Sequence, residues 1–160
     1  MAIGVEPAMP HENPTRADRH LVLAGAYAEA ARRVLAAEIA GAERLAFFAI
    51  VAHGMELGLK AILIADGCDE EYLMLIGHDL DFCCRVMERG HFDVFAAIGA
   101  DAAAILSALS YPHQLQCFRY PQRVPDDLPD PSGALDCLDR LLGAVACHLS
   151  GRRPSYSPLG

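Results

Sequence analysis

Glu56 and Lys60 stand four residues apart in the middle of a long apolar stretch, with the acid leading. That is the favourable orientation for an i,i+4 ion pair on a helix. At about 100° per residue, Ala49, His53, Glu56 and Lys60 fall on one narrow stripe, and nearly all the remaining circumference is apolar. Such a pair is either solvated, contributing about 0.2–0.5 kcal/mol, or half-buried and retained for specificity or function. A second pair, His78-Asp79, reads either as the cap of a helix that continues with Leu80 and Phe82, or as a His reaching toward Glu56 and Lys60. The third feature runs from Ser110 to Arg123. No acidic residue occurs between Asp101 and Asp126, although the chain carries 21. Arg119 and Arg123 are interleaved there with Tyr111, Phe118 and Tyr120, a pattern that suits a phosphate with a base stacked beside it. The alternative is that Arg119 pairs with a carboxylate and the aromatics are core.

Other chemistries are poorly represented. The sequence has no GxSxG, Walker loop, HExxH or dinucleotide fingerprint. Its six cysteines, Cys68, Cys83, Cys84, Cys117, Cys137 and Cys147, contain no CxxC, and no secretory signal is evident before them. They read as reduced thiols in a cytoplasm. The nearest pair at helical spacing is His113 and Cys117, with no second pair to complete a zinc site, so neither a metal nor a cofactor is expected. The formal net charge of -8 argues against a protein built mainly to coat nucleic acid, while leaving room for a local anion site.

The elements that must carry these residues are helical. The chain has 160 residues, the size of one domain, and is 53% hydrophobic, with abundant Ala and few β-branched residues. Residues 1–14 read as a flexible tail. A first helix is expected from Thr15 to Ala40, capped by Thr15, and a second from Ala42 to Ala65, ending at Asp66-Gly67. The second is long enough to raise the question of a membrane span. His53, Glu56 and Lys60 argue against it, since a charge at mid-membrane costs about 2.5–3.5 kcal/mol. After a short acidic loop a third helix begins near Gly77-His78-Asp79-Leu80 and ends near Arg89-Gly90. A fourth is expected from Phe92 to Tyr111, stopping before Pro112. Asp130-Pro131 reads as the cap and first residue of a fifth, reaching Leu149, with a flexible tail over residues 151–160.

Three pieces, in order, resemble the HEPN-domain family: Glu56-Leu57-Gly58-Leu59-Lys60-Ala61 in a hydrophobic second helix, Gly77-His78-Asp79-Leu80 after a short loop, and Arg119-Tyr120-Pro121 after the fourth helix. The resemblance spans residues 15–150. It implies an all-α, up-and-down bundle of four to five helices, usually a homodimer, often encoded beside a minimal nucleotidyltransferase in toxin-antitoxin or defence modules. Many such proteins cut RNA without a metal, using an Arg and a His with four to six residues between them. Here only Arg85 and His91 match that spacing, and Val86 and Gly90 fit the pattern poorly; Arg140 and His148 are one residue too far apart.

The leading expectation is therefore a cytoplasmic, non-catalytic HEPN-like binding module. It would recognise a nucleotide, an RNA or a partner protein through Glu56, Lys60, His78, Asp79, Arg119 and Tyr120, with a nucleotidyltransferase as possible partner. The competing readings are a metal-independent HEPN ribonuclease using Arg85 and His91, and an oligomerisation protein with no small ligand. A homodimer is expected because the run Val94–Leu109 and the nearly all-round apolar second helix call for cover.

Overall fold

Helix α1 (Arg16–Leu35) starts at a capping box: the Thr15 side chain accepts from the Asp18 backbone and the Asp18 carboxylate accepts from the Thr15 backbone. Its buried face is made of Ala17, Ala24, Ala28 and Ala31, small residues that let it lie close to its neighbours. Helix α2 (Ala42–Ala65) follows after a short turn and is the axis of the fold. It packs against α1, and against three elements further along the chain: α4 (Leu80–Glu88), α6 (Ala100–Gln114) and α7 (Pro131–Gly151). Two short helices complete the set, α3 (Glu70–Ile76) and α5 (Phe92–Ile98). This computed structural model describes residues 14–120 and 125–151. Of the expected tails, 1–14 and 151–160, residues 1–13 and 152–160 lie outside the described residues, as does Arg123, while Gly151 belongs to α7.

The chain is all-α, with no strand among the described residues, but the expected count of four to five helices is corrected to seven. The two extra helices have separate causes. The segment read as an acidic loop folds as α3, because Asp69 accepts from the Tyr72 backbone as an N-cap while Leu73 and Ile76 are buried. Acidic residues in a first helical turn are stabilised by the helix dipole, so Glu70 and Glu71 favour this helix. The expected fourth helix is broken in two at Gly99, whose φ of 83° and ψ of 162° are accessible to glycine and strained for any residue with a Cβ. The helix after this break also passes the proline expected to stop it. Pro112 sits inside α6, and Leu115 N–H still donates to the Tyr111 carbonyl at 3.0 Å. The carbonyl that Pro112 leaves unmatched belongs to Ala108, an exposed residue.

The core is continuous around α2, with Phe47, Phe48, Met55, Leu59, Ile62 and Leu63 buried from it, and Leu106, Leu109 and Leu138 from α6 and α7. Gly58 leaves room for α7: a Cβ there would lie 2.7 Å from Leu142 Cδ2. Helix α2 is long and apolar enough to cross a membrane, but 72% of its most apolar window is buried inside this bundle. The cover that its apolar circumference requires comes from α1, α4, α6 and α7 of the same chain.

Candidate functional site

The stripe on α2 puts His53, Glu56 and Lys60 on the side that faces the α3–α4 connection and the end of α6. Glu56 is only 3% exposed, yet both carboxylate oxygens are engaged. Lys60 Nζ donates to Oε1 at 2.6 Å and to the carbonyl of Gly77 at 2.8 Å. Gly77 closes α3 with φ of 60°, a left-handed turn that presents its carbonyl to Lys60. The next residue, His78, donates from Nδ1 to Glu56 Oε2 at 2.9 Å. From α6, His113 Nε2 donates to the same oxygen at 2.7 Å. His53 Nδ1 lies 3.6 Å from Oε2, too long for a hydrogen bond, and has no hydrogen-bond partner among the described residues. Its ring is fixed by an edge contact with Tyr27, centroids 4.8 Å apart.

One buried carboxylate therefore gathers an ammonium and three imidazoles from three stretches of chain. Burial is the largest single influence on Glu56 and by itself raises its pKa. His113, His53, Lys60 and His78 together outweigh burial and hold the carboxyl well below the usual carboxylate range. Glu56 is thus an ionised hub. It fixes the orientation of His78 and His113 through the nitrogen each donates to it, as buried carboxylates do in acid–base sites.

Two recesses open on either flank of this hub. The smaller has a volume of about 130 Å³ and is lined by His53 and His113 together with Tyr27, Gln116, Phe118 and Arg119 among others. No residue of its lining is acidic. The turn that carries Arg119 is anchored by Phe118, which stacks on Phe48 at 5.9 Å, and is bent by Gln116 at φ of 58°. Arg119 is exposed and makes no ion pair among the described residues. The wider recess, about 330 Å³, lies on the Lys60 and His78 side, where Arg16 pairs with Glu70 at the edge.

Of the six residues proposed from sequence, Glu56, Lys60 and His78 form one network, and Arg119 reaches the opposite recess. Asp79 takes a different place. It caps α4, accepting from the Phe82 backbone at 2.8 Å and from Ser110 Oγ at 3.4 Å, while Ser110 Oγ accepts from Asp81 N–H at 2.9 Å. That arrangement ties α4 to α6 one turn before His113, so Asp79 acts as a positioning residue. Tyr120 is 63% exposed. Arg85 and His91 are not joined by any hydrogen bond or ring contact among the described residues. The Arg85 guanidinium lies over Phe82, whereas His91 is buried, bonded to Asp66 and edge-on to His148. Arg140 is held by Asp101, Asp136 and the Ile98 carbonyl.

Sequence reasoning missed His53 and His113 as site residues. His53 had a signal, since it shares the Glu56 stripe. His113 had none, because the helix that carries it was expected to end before Pro112. His53, Glu56 and His113 also offer three ligand atoms within 4.8 Å of one another. A cation there would face the Lys60 ammonium 2.6 Å from the same carboxylate, and the network's protons already satisfy it. Thiol chemistry has little support: burial pushes Cys83, Cys84 and Cys137 up to about 12. Compared with family models, with curated proteins and with solved structures, the chain finds no match in any of the three.

Proposed function

We propose that this chain is a binding module for a phosphate-bearing ligand, a nucleotide or an RNA end, received in the recess between α2 and the turn after α6. One observation carries the reading: Arg119, His53 and His113 line a single recess that contains no acidic group. Arg119 has no carboxylate partner among the described residues, so its planar fork is available for a bidentate contact with a phosphate. His113, oriented through its Nε2 bond to the hub carboxylate, and His53, held against Tyr27, complete the polar wall of the recess. At about 130 Å³ the recess is smaller than the roughly 300–1,000 Å³ typical of pockets that swallow a whole ligand. It fits a terminal phosphate, with the remaining ligand lying across the exposed Tyr120 side. The HEPN resemblance points the same way and supplies the class of partner, a nucleotidyltransferase.

The test compares a short 5′-phosphorylated RNA with its unphosphorylated twin by fluorescence anisotropy. Tighter binding of the phosphorylated strand, weakening as salt rises and lost in Arg119→Ala, is the expected outcome. Equal binding of both strands, or wild-type affinity in a folded Arg119→Ala, removes the reading.

A second reading has its own observation. The rings of His53 and His113 lie 6.3 Å apart on the same recess, a pair of imidazoles of the kind that serves as general base and general acid in metal-independent RNA cleavage. It replaces Arg85 and His91 as the residues of interest. Cleavage of RNA in excess chelator, abolished by His113→Gln and untouched by Arg85→Ala, would favour it over simple binding.

A further inference from the structure

The geometry points to a second site, away from Glu56: His91, Asp93 and His148 form a three-ligand site for a divalent transition-metal ion of the zinc class, with Asp66 orienting His91. One donor atom from each of the three residues falls within 4.8 Å of the others. They come from two packed elements. His91 caps α5 and Asp93 lies in its first turn, while His148 sits in the last turn of α7.

The state of the nitrogens is the main argument. His91 is 5% exposed, and its Nε2 is engaged by Asp66 Oδ2. A carboxylate on Nε2 keeps the proton there and leaves Nδ1 as a lone pair, the arrangement found behind metal-bound histidines. That Nδ1 is buried and has no hydrogen-bond partner among the described residues, and neither has His148 Nε2. Two adjacent imidazoles, centroids 4.6 Å apart at 83°, each therefore keep a buried nitrogen unsatisfied. Buried polar atoms are rarely left so, and a missing ion is one of the recognised reasons. Asp93 Oδ2, 3.1 Å from His148 Nδ1, supplies the negative charge, and its carboxyl is held below its ordinary value mainly by that histidine.

Two imidazoles and one carboxylate suit zinc and its first-row neighbours. Three protein ligands leave a fourth position, and an open depression of about 410 Å³ bounded by Asp93 and His148 lies beside it. The ion's external ligand would be water or a small anion.

The experiment is a calorimetric titration of Zn²⁺ into the chelator-treated full chain, with thermal melts in parallel. One ion per chain is expected, with a melting temperature that rises with zinc. His148→Gln and Asp93→Asn change partly or fully accessible side chains, so the fold survives, and each weakens zinc by tenfold or more. Asp66→Asn weakens it by roughly 10–100-fold, the range for a residue that orients a ligand. Cys147→Ser, at the rim of the same depression, leaves the affinity unchanged. No zinc binding, zinc binding that survives both His148→Gln and Asp93→Asn, or binding lost only in Cys147→Ser each overturns the proposal.

Discussion

The molecule has two clusters in which histidines meet a carboxylate, and they differ in what is left over. Around Glu56 both carboxylate oxygens are satisfied, an ammonium balances the charge, two of three imidazoles are hydrogen-bonded to it, and one buried nitrogen, His53 Nδ1, has no partner among the described residues. Around His91 and His148 no Lys or Arg is bonded to the group among the described residues, the carboxylate of Asp93 is exposed, and two buried nitrogens have no partner. The first cluster is a charge-balanced network with a single nitrogen left over. The second has ligand atoms to spare. The same residue types therefore support opposite chemistry, decided by whether a positive side chain is already present.

The strongest way to break this contrast is to remove each carboxylate. Glu56→Ala strands the largely buried Lys60 and His113, and should cost about 3–5 kcal/mol in urea melts. Asp93→Ala should leave the urea midpoint nearly where it was, because that side chain is 69% exposed. Equal losses in the two variants would mean that both clusters are structural.

Acid titration sharpens the contrast next. The Glu56 carboxyl has a folded-state pKa held below its ordinary 4.5, despite the opposing effect of burial. Its contribution to stability is therefore complete above about pH 4.5 and is lost as pH falls below that toward the folded value. Melting temperature should drop steeply on that acid limb for the wild type. Glu56→Gln should flatten the limb, and Asp93→Asn should alter it far less. A limb unchanged by Glu56→Gln would show that other carboxylates carry the acid sensitivity.

The smallest effect concerns what holds the first cluster together. Asp79→Ala removes the cap of α4 and the contact to Ser110, and should cost about 1 kcal/mol. Phosphate-ligand affinity should fall through misplaced His113 rather than through a lost contact. If Asp79→Ala abolishes ligand binding with stability unchanged, Asp79 touches the ligand directly and its role as a cap is secondary.

What could be read from sequence follows the range of each interaction. Thr15 as a cap, the α2 stripe and the Asp130-Pro131 start of α7 are local patterns, and the structure has Gly133 N–H donating to Asp130 Oδ2. Lys60 with Glu56 is also local, being one helical turn. The acidic loop that became α3 was misread because Glu70 and Glu71 look solvated while acting at a helix start. The break at Gly99 was hidden because apolar residues continue on both sides. His113 met Glu56 only through tertiary packing, across 57 residues. His91 and His148 likewise gave no signal together, since they lie on different helices and Asp66 read simply as a helix end.

That span of 57 residues also has a kinetic consequence. Contacts between distant chain segments form only after the loop between them has lost its freedom, so they arrive late in folding. Until α6 docks, Glu56 lacks its His113 partner and α2 lacks the part of its cover that α6 supplies. Docking of α6 therefore completes the site and part of the α2 cover together, and amide protons near His113 should gain protection together with those around Glu56.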